Sequence, residues 1–331
     1  MNLFLVTSPF QYLCAVEAKK SYNTSGNILL LVEQPREPGI SHLAHIYNES
    51  EWDHVIHVTR KQRSFSVPKA IKQAKKLNPS KKFQHFFHGE YNAWRTKLIL
   101  KNLNINTEVY FDDGSLTLSE YDRHIKTHNS FYRPRLVNDM VIRLQGLSAI
   151  GKLPMSKNLQ IFTMFNINAP IVHIVQNKFE ALRQRYNLNV PSVFDDSLAL
   201  FLGQGSIGCD GTKKDNYLDL IKRFAKKTGK PILYAPHRTE NPEVRELVKT
   251  IPNLTYHDSS FPIEIEIAEK GLSITDIGGV SSTALFSLKL IYPNIRIYTA
   301  DQTKDDYLNP ISYDEILLMT QQLKDLQVEL F

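Results

Sequence analysis

The sequence predicts a protein of the α/β class, with two domains that are each built on a parallel β-sheet. Three observations lead to this prediction. Short apolar runs alternate with helical segments, the alternation starts again in the second half, and 331 residues suffice for two domains of about 150 residues each. Hydrophobic residues make up 42% of the chain, which is typical of a globular protein.

The first domain is expected to span residues 1–165. Ser8 and Pro9 suit the cap and the first turn of a helix that follows the first strand. Residues 151–170 fit a helix or a strand less clearly, so we place the domain boundary among them. The predicted strands of this domain are residues 2–7, 27–32, 54–58, 83–87 and 106–111.

The second domain is expected to span residues 166–311 and to form a second Rossmann-like unit. It should open with a helix over residues 175–188. Lys226, Lys227 and Gly229 provide a stop signal for a helix over residues 213–228. The predicted strands are residues 199–203, 232–235, 253–257, 272–276 and 294–299.

The last segment, residues 312–331, predicts a C-terminal amphipathic helix. Ile316, Met319 and Leu323 recur at helical spacing, and Leu326 and Leu330 continue the series. Such a stripe has to be buried, so we expect the helix to pack back across the domains. Two α/β domains with a closing helix suggest that the domains face a central cleft.

Charge and cysteine content narrow the class of protein. The net charge is +6, yet no basic–aromatic motif of a nucleic-acid module is present, so we expect no nucleic-acid partner. Cys14 and Cys209 form neither a disulfide framework nor a metal-binding spacing, which fits a reducing cytoplasm. No window approaches the ~18 apolar residues of a membrane span. The expectation is a cytoplasmic protein that is soluble or peripheral.

Much of the excess positive charge lies in residues 60–82. The plainer interpretation is a solvated helix face, and it is the default. The sharper interpretation is attraction to the anionic inner face of the cytoplasmic membrane, where each nearby basic residue contributes ~1 kcal/mol. Both can hold together.

An acidic pair, Asp112-Asp113, follows the predicted strand at residues 106–111 and precedes Gly114. An Asx turn is the commonest role of such residues. A metal site and a general base are the functional alternatives. The position favours function, because ligands of open α/β sheets bind outside the carboxyl ends of the strands.

His237 follows another predicted strand, between Pro236 and Arg238. A lone histidine is usually structural or exposed. The adjacent arginine makes an anion site more plausible, since histidine donates a hydrogen bond to a phosphate and Arg238 can bind one as well.

Glycine and serine residues follow two further strands. Gly278 and Gly279 precede Ser281 and Ser282, and these follow Asp276 at the end of the predicted strand 272–276. The serines predict a helix cap, and the helix start favours a phosphate. Gly203, Gln204 and Gly205 have the same character but lack the spacing of a dinucleotide fingerprint.

Glu264 and Glu266 lie in a short helical segment. On a helix they would ordinarily be solvated. A carboxylate near a helix start can instead bind both hydroxyls of a ribose, as acidic residues do in nucleotide-binding folds.

Taken in order, these motifs resemble those of bacterial sialyltransferases with the GT-B fold, a group that includes lipooligosaccharide sialyltransferases and bacterial polysialyltransferases. The opening VTSPFQYLCAVEA and the intervals from His237 to the later motifs are also similar. One departure is that Arg238, not proline, follows the histidine, which leaves the donor contact open. The matching residues are Asp112-Asp113-Gly114, His237, Glu264 and Ser281-Ser282.

The resemblance implies an inverting, metal-independent transfer of sialic acid from CMP-sialic acid to a terminal galactose of a bacterial cell-surface glycan, such as lipopolysaccharide, O-antigen or capsule. It implies no cofactor and no metal. Asp113 would be the general base, with Asp112 as the second choice, and His237 would hydrogen-bond or protonate the leaving phosphate. The remaining donor-binding residues would be Gly203, Gln204, Gly205, Pro236, Arg238, Glu264, Ser281 and Ser282.

Two other functions remain open at this point. One is a GT-B enzyme that uses another CMP-linked nonulosonic acid or a nucleotide-diphosphate sugar. The other is a non-catalytic protein that binds a nucleotide or a glycan.

Overall fold

The structure, a computed structural model, describes residues 1–188 and 198–331, apart from the side chain of Glu315. The chain divides into two compact units, Met1–Ala181 and Leu182–Phe331. Each unit contains a parallel sheet with helices in the crossover connections, so the predicted α/β class is confirmed.

The first unit is built on seven parallel strands in the order β3-β2-β1-β4-β5-β6-β7. Its strands are rich in Leu, Ile, Val and Phe, because a parallel sheet is covered on both faces. The strands are Asn2–Val6 (β1), Asn27–Val32 (β2), His54–Val58 (β3), Lys82–His88 (β4), Asn104–Phe111 (β5), Leu159–Thr163 (β6) and His173–Gln176 (β7).

The helices of this unit begin and end at expected signals. Ser8 caps the first helix, and its side chain accepts a hydrogen bond from the Gln11 amide, with Pro9 in the first turn as predicted. The helices are Pro9–Ser21 (α1), Gly39–Ile46 (α2), Arg63–Leu77 (α3), Trp94–Asn102 (α4), Leu116–Glu120 (α5), Leu136–Leu144 (α6) and Glu180–Arg185 (α7), the last of which crosses into the second unit.

Within its described residues, the second unit has six parallel strands in the order β10-β9-β8-β11-β12-β13. They are Leu198–Leu202 (β8), Ile232–Ala235 (β9), Leu254–Tyr256 (β10), Ile274–Gly279 (β11), Arg296–Thr299 (β12) and Glu329–Leu330 (β13). The helices are Lys214–Thr228 (α8), Pro242–Lys249 (α9), Ile263–Glu269 (α10), Thr283–Ile291 (α11) and Pro310–Asp325 (α12).

Both sheets reverse their strand order once. The reversal lies between β1 and β4 in the first unit and between β8 and β11 in the second. At such a point the connections leave in opposite directions, which opens a crevice at the carboxyl ends of the strands. The loops after these strands are therefore the places to look for ligand-binding residues.

Two predicted boundaries differ from the structure. The helix expected over residues 175–188 begins later, because residues 175 and 176 belong to the edge strand β7. The first compact unit extends to Ala181, whereas the predicted first domain ends at residue 165. The segment HIVQ is short, and β-branched residues next to a helical pattern are ambiguous in sequence.

The C-terminal helix is present, but it is shorter than predicted. Asn309 caps it and Pro310 occupies its first turn, and it ends at Asp325. Glu329 and Leu330 instead pair with β12 as an edge strand. Met319 and Leu323 are buried as predicted, whereas Leu317 and Leu318 are exposed.

In the described part of the chain, no helix has the length and apolarity that crossing a bilayer requires.

Candidate active site

In the first unit, the acidic pair lies where predicted, directly after β5. Asp112 and Asp113 connect the strand to α5, and Gly114 has a φ of +71°, a left-handed conformation that glycine adopts without strain. The chain therefore changes direction sharply at Gly114, next to the carboxyl end of β5.

Asp112 is completely buried. One carboxylate oxygen accepts a hydrogen bond from Thr163 Oγ1 at 2.6 Å, and the other accepts one from the Met164 amide at 2.7 Å. Burial raises the pKa of Asp112 to about 7, although these hydrogen bonds oppose the increase. Asp112 therefore ties the loop after β5 to the end of β6.

Asp113 is partly exposed, unlike its neighbour. Its backbone amide donates to Thr117 Oγ1 at 3.2 Å, which fixes the turn. A substrate hydroxyl can reach the partly exposed Asp113 more readily than the completely buried Asp112. The role of Asp113 as the general base stays a prediction.

A cavity of about 250 Å³ lies in the same unit. Basic, aromatic and amide side chains line the cavity, and the described lining contains no Asp or Glu side chain. The Tyr91 ring of the lining packs against Tyr110, two residues before Asp112 on β5, with 5.6 Å between the ring centroids. The cavity is lined by Tyr91, Asn92, Lys97, His124, Asn129, Ser130, Phe131, Tyr132, Arg133, Leu153, Pro154 and Met155.

The Lys97 ammonium of this cavity is held by a buried charge cluster. Its Nζ lies 3.7 Å from Glu108 Oε1 and 3.7 Å from the centre of the Tyr91 ring. Glu108 also accepts a hydrogen bond from His88 Nε2 at 3.0 Å and one from Ser156. Desolvation opposes the charged form of Glu108, but Lys97 and these hydrogen bonds bring its pKa below the usual range. Burial lowers the pKa of Lys97, and the charge of Glu108 opposes this decrease. Lys97 and Glu108 are thus a buried pair at the cavity wall.

Sequence reasoning did not identify the groups at the strand-order reversal of this unit. Thr7, just after β1, donates through Oγ1 to Glu90 Oε1 at 3.1 Å, and Arg95 Nε lies 2.9 Å from Glu90 Oε2. Glu90 follows the end of β4. The signal in the sequence was a carboxylate two residues after a strand, the same pattern that identified Asp112-Asp113.

In the second unit, Gly203, Gln204 and Gly205 follow β8 at the strand-order reversal, as predicted. A side chain at Gly203 would come within 2.8 Å of the His237 amide and 2.9 Å of Pro236 Cα. One at Gly205 would collide with Thr239 and the His237 ring. These glycines bring the loop after β8 directly against the histidine.

His237 is on the loop after β9, and both Pro236 and Arg238 remain at least partly accessible. Its Nδ1 accepts a hydrogen bond from the Thr239 amide at 3.2 Å and contacts Thr239 Oγ1 at 2.8 Å. Since Nδ1 accepts, the proton of the neutral ring sits on Nε2, which is then a donor for a ligand. His237 is exposed at the surface, yet nearby protein atoms partly desolvate its ring and lower its pKa, and the charge of Arg238 lowers it further.

A network that the sequence did not reveal fixes this loop. The side chain of Glu240 is buried, and its carboxylate accepts hydrogen bonds from the Tyr234 and Tyr256 hydroxyls. Tyr217 lies 3.0 Å from Tyr234, hydroxyl to hydroxyl, and the Glu240 amide donates to the His237 carbonyl at 2.8 Å. The carboxylate three residues after His237 was visible in the sequence, but its tyrosine partners come from distant elements.

Glu264 and Glu266 are both buried, so the expectation of solvated side chains was wrong. Glu266 accepts from the Phe261 amide at 2.8 Å and pairs with His257 at 2.8 Å, which is a structural role. Glu264 Oε1 accepts from Ser287 at 3.1 Å, and burial raises the pKa of Glu264. Glu264 therefore differs from Glu266 in having fewer protein partners for its carboxylate.

Ser282 caps α11 as predicted, with its side chain accepting from the Leu285 amide at 3.4 Å. Ser281 was expected to contact a phosphate, but its side chain has other partners. It is buried, and its hydroxyl lies 2.6 Å from both Thr299 Oγ1 and Thr320 Oγ1. Its hydroxyl thus joins β11, β12 and α12. Ser282 and the helix start remain the candidates for a phosphate.

Two other residues of this motif are structural. The strand β11 runs to Gly279, three residues beyond the predicted end, so Asp276 lies inside it. Its carboxylate pairs with Lys230 at 2.6 Å and Arg296 at 2.8 Å. A side chain at Gly278 would collide with the Phe224 ring of α8, so this glycine serves helix–sheet packing and not a ligand.

Within residues 1–188 and 198–331, no group of three His, Cys, Asp or Glu side chains is arranged to hold a metal ion. At the acidic pair, both oxygens of Asp112 already accept hydrogen bonds.

Comparisons with known proteins fit this arrangement. The family model of the alpha-2,8-polysialyltransferases (POLYST) matches residues 2–301. A search of curated protein sequences gave no significant match.

Two solved structures resemble the fold over nearly the whole chain. The α/β-galactoside α-2,3-sialyltransferase of the luminous marine bacterium Photobacterium phosphoreum shares 16% identity, with coverage of 99% of this chain and 97% of that one and a TM-score of 0.52. The GT-B domain of the Photobacterium damselae sialyltransferase shares 12% identity, with full coverage of both chains and a TM-score of 0.51. At these identities the likeness shows the fold alone, and it confirms the predicted GT-B fold.

The match to the family model covers most of the chain, and the fold agrees with it. The chain belongs to the alpha-2,8-polysialyltransferase family, and it is a sialyltransferase with the GT-B fold.

Proposed function

We propose that this enzyme transfers sialic acid from CMP-sialic acid to a glycan hydroxyl, with inversion at the anomeric carbon and without a metal ion. One observation carries the proposal for the donor. His237, the Gly203–Gly205 loop and the cap of α11 all belong to loops at or beside the strand-order reversal of the second unit. Such a crevice is where nucleotides bind in doubly wound folds.

In the proposed reaction, Asp113 removes the proton of the acceptor hydroxyl. The hydroxyl oxygen then forms a bond to the anomeric carbon on the face opposite the phosphate, and the bond from that carbon to the phosphate oxygen breaks. The partial exposure of Asp113 supports this role, because a general base has to reach the proton that it removes. Asp112 holds the turn in place through its hydrogen bonds to Thr163 and Met164.

The leaving group is the phosphate of CMP. The Nε2–H of His237 donates a hydrogen bond to it, and the N-terminus of α11 with Ser282 adds dipolar stabilisation. Stabilisation of developing charge by pre-positioned donors is often the largest catalytic effect. Arg238 offers a further cation, and Glu264 is the candidate for the ribose hydroxyls.

For the acceptor we propose a terminal galactose of a bacterial surface glycan. A sialylated acceptor is the second candidate, and two observations favour it. The family is described by an α-2,8-polysialyl activity, and the exposed Arg133 lines the cavity of the first unit, where its guanidinium suits a carboxylate. The aromatic rings Tyr91, Phe131 and Tyr132 suit the apolar faces of a sugar.

We also propose that the acceptor is lipid-linked and that the basic residues 60–82 approach the anionic inner face of the cytoplasmic membrane. All the lysines and arginines of α3 are exposed, which this contact requires. The alternative, a solvated helix face, predicts no effect of anionic lipid on the enzyme.

The test is an assay of CMP release with mass spectrometry of the glycan product, in chelator. The acceptors are a soluble galactoside and a soluble sialoside. Asp113→Asn should reduce turnover by about a hundredfold or more, as the loss of a general base does. Asp122→Asn changes a nearby exposed carboxylate in an exposed ion pair and should leave turnover unchanged. Full activity of Asp113→Asn, or no transfer to either acceptor, would refute the proposal.

A further inference from the structure

The helix α6 exposes an apolar face of unusual extent. The outer stripe of α6 consists of Leu136, Val137, Met140 and Leu144, which are 85%, 71%, 56% and 80% exposed. With about 100° of rotation per residue, the four side chains occupy about a third of the helix circumference. Scattered single apolar residues are common on surfaces, but a contiguous stripe indicates a binding surface.

The orientation of α6 is fixed by packing on its other side. Ile142 is completely buried and belongs to the same core cluster as Val67 and Ile71 of α3. The Gln145 side chain also donates to the Ser64 carbonyl at 2.8 Å, which joins the end of α6 to the start of α3. Ile142 lies opposite the outer stripe on the helix, so burying it holds the stripe outward.

Exposed basic residues lie on the segment that contains the outer stripe and on the neighbouring helix. Arg133 and Arg143 are exposed at the start and the end of this segment, and α3, which packs against α6, carries exposed lysines along its length. The carboxylate in α6, Asp139, is partly buried and accepts a hydrogen bond from the Arg135 amide at 3.3 Å. The exposed lysines of α3 are Lys69, Lys72, Lys75 and Lys76.

We propose that the outer stripe of α6 inserts into the interface of an anionic lipid bilayer, while the lysines of α3 contact the lipid headgroups. An apolar face flanked by basic residues is the arrangement that binds at such an interface. The inference rests on the membrane contact proposed for residues 60–82 and adds an apolar element to it. It does not depend on which donor or acceptor the enzyme uses.

The charge pattern favours a bilayer over the other possible occupants. A second copy of this surface would bring its own arginines and lysines against those of the first, which opposes association. A soluble acidic glycan would satisfy the charges but would leave the outer stripe in water. An anionic bilayer satisfies both.

The test is flotation with vesicles of phosphatidylcholine, with and without phosphatidylglycerol. We expect wild-type protein to bind the vesicles that contain phosphatidylglycerol. The double variant Met140→Ser/Leu144→Ser should bind them at least about tenfold more weakly, since it removes two apolar anchors. The matched control is Leu317→Ser/Leu318→Ser, two exposed apolar residues of α12 in the second unit, and it should bind like wild type.

Two further measurements keep the test independent of folding and of catalysis. Leu144→Trp should show a blue shift of its fluorescence and quenching by brominated lipid. CMP binding and transfer to a soluble acceptor should be unchanged in Met140→Ser/Leu144→Ser, which shows that the variant is folded and separates this inference from the proposed reaction.

Three results would overturn the inference. They are absence of vesicle binding by the wild type, equal binding by the α6 double variant, and an unshifted Leu144→Trp spectrum on vesicles. A dimer in light scattering that the α6 double variant abolishes, without any vesicle binding, would assign the outer stripe to a second copy of the chain.

Discussion

Asp112 and Asp113 are adjacent aspartates in one loop, but their environments differ. Asp112 is buried and bonded to Thr163 and Met164, whereas Asp113 is partly exposed. Because burial disfavours charge, the pKa of Asp112 rises to about 7. The two carboxylates therefore suit different tasks, one as a support and the other as a base.

The raised pKa of Asp112 predicts a pH dependence of stability. The ordinary pKa of 3.8 describes the unfolded chain, and the folded value is about 7, so between them the folded protein holds a proton that the unfolded chain releases. The free energy of unfolding should therefore fall as pH rises through this window, by up to about 1.4 kcal/mol per pH unit from this group. In urea titrations across the window, Asp112→Asn should have a flatter profile than wild type. Parallel profiles would contradict the assignment.

His237 predicts a second titration effect. Its pKa is lowered in the free protein by desolvation and by Arg238. A bound phosphate carries negative charge and favours the imidazolium, so CMP should raise the pKa of His237. The measurement is NMR titration of the imidazole with and without CMP, and cytidine, which lacks the phosphate, is the control. An equal pKa in both complexes would contradict a contact between His237 and the phosphate.

For single residues, the sequence predicted where the candidate site residues lie better than which groups their side chains contact. Asp113, His237 and Ser282 lie at strand ends or at a helix cap, which short patterns reveal. Ser281 and Ser282 read alike in sequence, yet only the first is turned inward to Thr299 and Thr320. Residues distant in the chain make that difference, and no local pattern contains them.

At the scale of elements, the loops after β8, β9 and β11 form the donor side of the candidate site. Two glycines near these loops serve different purposes. Gly205 leaves room for the ring of His237, whereas Gly278 leaves room for Phe224 of α8. Sequence reasoning gave both kinds of glycine the same purpose, because the packing partner of a glycine is a tertiary property.

This difference predicts that alanine at Gly205 impairs CMP binding, whereas alanine at Gly278 impairs stability. Gly205→Ala should displace His237 and weaken CMP binding, with little change in melting temperature. Gly278→Ala should overpack the α8 contact and lower the free energy of unfolding by about 1–3 kcal/mol. Calorimetric titration and thermal melting of both variants check this, and Gly278→Ala/Phe224→Leu should recover part of the stability. Identical behaviour of the two single variants would contradict the distinction.

Sequence reasoning missed one edge strand of each sheet, although it predicted the opposite edges, β3 and β10. The strands β7 and β13 are short, and each pairs with a neighbour on one side. Their apolar residues can equally continue a helical pattern, as Leu326 and Leu330 did in the predicted C-terminal helix. Central strands such as β1 and β8 are continuous apolar runs and were predicted within a residue or two of their ends.

At the scale of the whole molecule, the sequence predicted two parallel α/β sheets and the GT-B fold, and both are confirmed. The alternation of apolar runs and helices carries this information, because parallel sheets require crossover helices. The stripe on α6 was not predicted, since its residues appear as an ordinary helix until the structure shows which side is buried.

The identity of the donor is the central claim, and calorimetric titration with CMP, UDP and GDP, each with and without a chelator, tests it most directly. The account predicts that CMP binds, that UDP and GDP do not, and that the chelator has no effect. The variant Ser282→Ala should weaken CMP binding, while Ser259→Ala, a serine outside the predicted donor contacts, should not. Preference for UDP or GDP, or loss of binding in chelator, would contradict the account and assign the enzyme to another donor class.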